Sequence, residues 1–487
     1  DAQGAATDND TVERGSAMTG SPGKAAARSA PPVPRRPGLL GWLLPGWADR
    51  NYALVFWARL AMSAGRSLAG VVVPVYLALQ GFSAVELALW VLVVSATAAV
   101  FSSAIGLASD RVGRRPFLVA LPLFTAAAAL AFALFRTDGV LFVAAAIGSF
   151  GRGSGAGAGA VGPYQPAESA LVTETVSSDA RNAAFGRLAF ASSIGALIGG
   201  GLATLAGNAH VHGAAALSAY RPAFLAIVAV SAVAGLLALG LEEPRRSPRP
   251  ADPARRSRPG QVRLPRRSRW LLFRLWVTNG LNGIAVGMFG PFITYWLYRR
   301  YGVGPTEIGV LFAVINLATT VSTLSAAGLA RRYGLVRTVV VFRILSGILL
   351  VPMVLAPTFA LAGAVYLVRM VLQRVSLPLR QSYVLAMADP EERASVAALS
   401  NVPAQVAMTA SPLLTGFLFE VVSLSLPFEL SSIFFCLNGI FYWIFFRSRP
   451  PEEEVGRQAA GTPDGAAAED TTTSTELLSS PEAPLRS

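Results

Sequence analysis

Six arginines stand inside stretches that are otherwise apolar: Arg59, Arg66, Arg152, Arg343, Arg369 and Arg374. Burying an ionisable side chain in a lipid-like interior costs at least about 2.5–3.5 kcal/mol, so it usually faces a cavity or a polar partner. A guanidinium presents five N–H donors in a planar fork that fits carboxylate and phosphate oxygens, so the chemistry within reach is anion binding. No acid stands among the six, because Glu86, Asp138, Glu307 and Glu420 fall at the ends of the apolar stretches. Proton coupling through a buried carboxylate is therefore not expected, and the anionic group of a solute is left to neutralise the cations. Arg59 and Arg66 are seven apart and share one helical face with Ser63. Arg59 also lies close enough to a span end to snorkel. Asn279, Asn282, Gln373, Asn401 and Gln405 supply uncharged polar groups for a lining, or for helix-to-helix contacts.

The elements that position these residues follow from composition. The chain has 487 residues, 53% hydrophobic and only 14% charged. Apolar stretches near 20 residues match the ~30 Å hydrocarbon core of a bilayer, and in lipid each must satisfy its own backbone, as a helix does. Twelve such spans are predicted, at 53–79, 85–108, 116–135, 139–161, 185–206, 221–241, 270–298, 306–330, 335–357, 361–386, 397–419 and 428–446. Residues 1–48 and 448–487 read as disordered tails, and no signal peptide is recognised in the first. The segment 242–269, with ten Arg and several Pro, reads as an extended linker between a six-span unit at 49–241 and another at 270–447.

The formal charge is +13, and Lys24 is the one lysine. The arginines sit mainly in loops between spans and not on one soluble face, which argues against nucleic-acid binding. Arg111, Arg114, Arg115, Arg181, the linker set, Arg331, Arg332, Arg337, Arg393, Arg447 and Arg449 fall on one side if the spans alternate. That side is assigned to the cytoplasm, with both tails there. Arg299 and Arg300 violate the rule, and Arg136 and Arg221 are weaker exceptions. Cys436 is alone in an apolar stretch and is expected to be a buried thiol, and His210 and His212 have no partners that suggest a metal. With no Gly-Lys-Ser/Thr phosphate loop either, no cofactor, no ATP drive and no enzyme activity are expected.

A shift of 221 lays Gly81 on Gly302, Glu86 on Glu307, Arg111 on Arg332 and Gly113 on Gly334. At about 213, "ESALVTETVSSDAR" (168–181) meets "QSYVLAMADPEER" (381–393), and "GALIGG" (195–200) resembles "SPLLTG" (411–416). Two homologous halves are predicted. Between the second and third spans, Gly106, Asp110, Arg111, Gly113, Arg114 and Arg115 resemble the G-x-x-x-D-R-x-G-R-R signature of the major facilitator superfamily. Gly113 would supply a positive φ at the reversal, Asp110 would face a helix N-terminus, and the arginines would pair with acids such as Glu168 or Glu174.

The resemblance implies an all-α polytopic membrane protein, with twelve transmembrane helices in two pseudo-symmetric six-helix bundles rocking around a midplane site. It further implies that this hinge latches the halves in an outward-open state, and that the first, fourth, seventh and tenth helices line the cavity. Five of the six embedded arginines lie on that set, and Arg152 alone matches the superfamily's fourth-helix motif. On this reading Arg66, Arg152, Arg369, Asn279, Asn282 and Gln373 form the substrate cavity. In the second hinge Arg331 replaces the Asp and Ala327 the first Gly, so only the first keeps the acid contact.

"GALIGG" resembles the antiporter element G-P-x-x-G-G with Ala196 in place of proline, while Pro412 is retained in its mate. Gly195, Gly199, Gly200 and Pro412 are assigned to helix packing, which explains them as well as an antiporter role does. The function expected is drug or metabolite efflux by a monomer in a bacterial inner membrane, with coupling to a proton or counter-ion left open. Import or exchange of an organic anion is the alternative, and a receptor or lipid scramblase on the same scaffold is the third. A cavity enclosed by both halves favours transport, and a sideways-open groove favours scrambling.

Overall fold

The structure is a computed structural model describing Pro45 and residues 48–150, 162–177, 180–206, 218–243, 268–387, 396 and 399–447. The chain divides into Asp1–Pro45 and Gly46–Ser487, and the helices below belong to the second unit. In the first half they are α1 (Arg50–Leu79), α2 (Ala84–Val112), α3 (Arg115–Leu134), α4 (Asp138–Gly148), α5 (Tyr164–Thr175), α6 (Arg181–Leu202) and α7 (Arg221–Leu239). In the second they are α8 (Arg269–Phe289), α9 (Ile293–Tyr301), α10 (Pro305–Tyr333), α11 (Leu335–Ile348), α12 (Leu350–Leu355), α13 (Phe359–Met387), α14 (Val402–Val421) and α15 (Leu426–Phe446). Among the described residues, ten helices are long and apolar enough to cross a membrane.

Several of the expected spans are built in pieces, the ninth as α11 and α12. The seventh runs from α8 through a 3-10 turn at Gly290–Phe292 into α9, at the point where Pro291 removes a backbone donor. The fourth consists of α4 and α5, so the expected limits of 139–161 miss its second part. In α5 the polar residues Gln165, Glu168, Thr173, Glu174 and Thr175 dilute the apolar signal that marks a span, and of these Glu168 is buried. The 242–269 linker and both tails lie almost wholly outside the described residues, as do His210, His212 and Arg152.

The repeat is written in the backbone. Gly81 and Gly302 have φ of 96° and 68°, and Gly113 and Gly334 have 106° and 81°. A Cβ is disfavoured at these values, so the glycine pairs matched by the 221-residue shift hold the same turns. Glu86 accepts from the Ser83 N–H at 2.8 Å, and Glu307 accepts from the Gly304 N–H at 2.9 Å. Both acids thus cap a helix start, which accounts for their place at span ends.

Helix α1 is the most enclosed span of the fold. Helix α6 approaches it over Gly195 and Gly199, where an added Cβ would lie 2.9 Å from the Ser63 Cβ and 2.8 Å from the Ser67 Cβ. Ser67 Oγ donates to the Ala196 carbonyl at 2.9 Å across this seam. In the second half α8 meets α14 in the same way with the partners exchanged. Gly283 and Gly287 of α8 leave room for Ala404, Met408 and Ser411 of α14, and Pro412 is buried beside them. Ser411 and Thr415 can therefore stand where the first half needs glycine.

The halves touch at the end carrying the Gly81 and Gly302 turns. Gly200 of α6 packs on Gly309 and Ala313 of α10, and Gly416 of α14 packs on Ala84, Val85 and Ala88 of α2. Gly200 and Gly416 are repeat mates, and so are Gly309 and Ala88, so one contact is made twice. Thr294 Oγ1 donates to the Gly70 carbonyl at 3.3 Å, and the Val85 N–H donates to Glu420 Oε2 at 3.3 Å. Around the outside, large apolar side chains such as Val100, Leu236, Leu355 and Val406 are exposed, a surface suited to acyl chains and not to water. Cys436 is half-buried, with its Sγ 3.9 Å from the Ile344 carbonyl, and so is less enclosed than expected.

Candidate functional site

A cavity of about 840 Å³ lies between the halves. Its wall takes Arg66 from α1, Ser95 to Ser103 from α2, Gln165 and Ser169 from α5, and Asn282 from α8. The second half adds Arg343 from α11, Arg369, Gln373 and Arg374 from α13, Gln405 and Thr409 from α14, and Phe435 from α15. Ser103 and Gln405 are exposed and sit on the parts of α2 and α14 nearer the 106–115 hinge. The cavity thus opens toward the hinge, and the glycine contacts close the opposite end.

Of the residues assigned to the cavity from sequence, Arg66, Arg369, Asn282 and Gln373 line it. Asn279 does not. It is 4% exposed, and its Nδ2 donates to the Ser400 carbonyl at 2.7 Å, which ties α8 to the start of the eleventh span. Asn279 and Asn282 stand about one turn apart along α8, and the cavity wall includes the second and not the first. Arg343 was not expected here, since it comes from the ninth span. Its long arm reaches the Asn282 Oδ1 on the seventh, a contact that spacing along one helix does not reveal. Arg374 shares the wall with Arg369 despite the five-residue step, so four arginines line the cavity and none of the described wall residues is acidic.

Arg59 lies elsewhere. Its Nη1 is 2.7 Å from Glu168 Oε2, with side-chain exposures of 8% and 1%. A buried carboxylate is therefore present in the fourth span, contrary to the expectation that none would be. It serves Arg59, and it does not line the cavity. Glu168 was expected among the partners of the hinge, but of the two acids named it is Glu174 that pairs with the Arg114 guanidinium.

The hinge is further fixed to α7 and the residues after it. The Arg114 N–H donates to Glu243 Oε1, and Arg115 Nη2 donates to the Leu239 carbonyl at 2.6 Å. A side chain at Gly113 would collide with the same Glu243 carboxylate. Gly106 has open space around it. The side chains of Asp110 and Arg111 lie outside the described ones.

A family model described as Major Facilitator Superfamily matches residues 55–281 and again 275–483. Solved structures share the fold at low identity. A bacterial homologue of the human lysosomal transporter Spinster, inward-facing and unoccupied, aligns with TM-score 0.61 and 15% identity over 82% of this chain and 97% of its own. A D-xylose–proton symporter aligns with TM-score 0.58 and 15% identity over 81% and 97%. The human organic anion transporter MFSD10 aligns with TM-score 0.53 and 17% identity over 82% and 100%. No curated protein sequence matches the chain.

Proposed function

The chain belongs to the major facilitator superfamily, and from that premise we propose a secondary active transporter that moves small organic solutes by alternating access, outward in preference to inward. The observation that carries the reading is one cavity walled by both halves and closed at one end by paired glycine contacts. Its volume of about 840 Å³ falls within the range of about 300–1,000 Å³ typical of small-molecule sites. Walls from both halves support solute transport over a sideways lipid groove. Efflux rests on the resemblance of the hinge and of the Gly195–Gly200 element. The hinge end is read as cytoplasmic, which makes this state inward-facing, with Arg114 and Arg115 of the first hinge bound inside their own half. On this reading the protein works as a monomer, and the imposed pH gradient below tests coupling to a proton or counter-ion.

Four arginines on the wall and no acid among its described residues favour a second reading, in which the solute is an organic anion. Both readings are tested in sealed proteoliposomes with an imposed pH gradient and a panel of labelled anionic, neutral and cationic solutes. Protein-dependent flux of at least one solute is expected. A hydrogen bond to a charged group is worth about 1.5–3 kcal/mol, so Arg66→Ala should cut anion flux by about tenfold or more. Equal flux in protein-free vesicles for the whole panel contradicts transport, and flux of neutral analogues equal to that of anions contradicts the second reading alone.

A further inference from the structure

Arg369 differs from the other arginines of the wall. It is 1% exposed, and its Cζ lies 4.3 Å from the Phe289 ring centroid and 4.9 Å from that of Phe435. Nη1 is engaged, donating to Gln373 Oε1 at 3.2 Å and lying 3.6 Å from the Met370 sulfur. Nε and Nη2 are buried and have no hydrogen-bond partner among the described residues. These two nitrogens form one edge of the guanidinium plane, and their N–H groups point side by side. Two parallel N–H donors match the two oxygens of a carboxylate, or two of a phosphate or phosphonate. Phenyl rings satisfy the charge in part through their faces but accept nothing from the in-plane N–H groups. A buried donor left unmade is costly, so an edge of this kind calls for an explanation by function.

Building on the organic-anion reading, we propose that the Nε–Nη2 edge of Arg369 is the anchor for an oxyanion carried on an apolar body. The apolar part follows from what surrounds the edge. Phe289, Phe435, Tyr366 and Met370 lie on the same stretch of wall, so a substituent next to the anion meets rings and a thioether and not water. Almost none of Arg369 meets solvent, so the anion enters by displacing a neighbour. Met370 is the readiest to yield, because its unbranched side chain has three rotatable bonds. Arg66, Arg343 and Arg374 set the positive field that draws the anion in, and Arg369 orients it.

The test uses the full chain in detergent micelles, with benzoate, phenylphosphonate, inorganic phosphate and the neutral isostere benzamide as probes, each titrated against wild type, Arg369→Gln, Arg369→Lys and Arg369→Met. Benzoate or phenylphosphonate is expected to bind with benzamide at least about tenfold weaker, and Arg369→Gln should abolish that preference. Arg369→Lys should also lose about tenfold or more, because an ammonium is a point charge without the fork. Which of the two oxyanions binds more tightly separates carboxylate from phosphonate solutes, and tight binding of inorganic phosphate would contradict the apolar body.

A second readout needs no ligand. Arg369→Met should raise the thermal midpoint of the empty protein, since an unsatisfied buried cation is replaced by a side chain of similar volume. A lowered midpoint, or oxyanion binding unchanged in Arg369→Gln, overturns the proposal. Solute-independent exchange between the two end-closed states is measured separately. If the ends never alternate while benzoate still binds through Arg369, the transport reading fails and the anchor stands.

Discussion

Replacing Gly309 with leucine should force the closed end apart and move the protein toward its opposite state. A Cβ there would lie 2.6 Å from the Ala203 Cβ and would collide with the Gly200 carbonyl, where backbone meets backbone and cannot yield. Overpacking a tight contact costs roughly 1–3 kcal/mol. That cost is borne only by the state in which the two halves touch, so the equilibrium shifts by about 5- to 150-fold. Spin labels at Leu205 and Val422, both exposed at that end, would report it as a longer distance in a Cys436→Ser background. Gly195→Leu is the control, because its collisions are with α1 inside one half. It should lower the thermal midpoint and leave the Leu205–Val422 distance as it was. An unchanged distance in Gly309→Leu would show that the glycine contact is not the barrier.

The second large effect concerns the buried pair. Arg59→Ala leaves the Glu168 carboxylate, 1% exposed, with no counter-charge among the described residues. Breaking a buried ion pair from one side costs about 3–5 kcal/mol. In mixed-micelle denaturation Arg59→Ala should lose most of the folded protein's stability. Replacing both members, as Arg59→Met with Glu168→Met, should restore much of it, because no orphaned charge remains. A double variant as unstable as the sum of the two single variants would mean that the two side chains act independently, and would contradict a coupled pair.

Glu168 also marks where reading from sequence stops. The apolar period locates α1, α2 or α15 because apolar residues dominate each of them, even where Arg59, Ser67 or Asn438 is buried among them. It fails at α5, whose value to the fold is the polar contacts it makes with Arg59 and Arg114. An acid in a weakly apolar segment looks like a loop residue until the helix that carries it is packed. The turns were legible for the opposite reason. Gly81, Gly113, Gly302 and Gly334 hold positive φ, a demand that only glycine meets cheaply, so the repeat survives in them after most of its other residues have diverged.

The cavity was legible in part. Arg66, Arg369, Asn282 and Gln373 line it because a polar side chain in an apolar helix has few other places to go. Arg343 came from an element that neither period nor spacing points inward, and it reaches the wall through the length of its side chain. Asn279 satisfies itself on the Ser400 carbonyl, which shows that one helical turn separates a lining position from a packing one. The orphaned edge of Arg369 depends on the placement of Phe289 and Phe435, two residues whose apolar character gave no hint of a polar site.

Everything proposed for this chain needs the two ends to open in turn around the arginine-lined cavity. The direct measurement is a pair of distances in the full chain in lipid nanodiscs, Leu205 to Val422 at the closed end and Val112 to Val402 at the hinge end, all four positions being exposed. They would be recorded across the solute panel, across pH, and in Gly309→Leu. The account predicts opposed changes, the hinge-end distance shortening whenever the other lengthens. Two distances that stay fixed throughout, or that grow and shrink together, would contradict it.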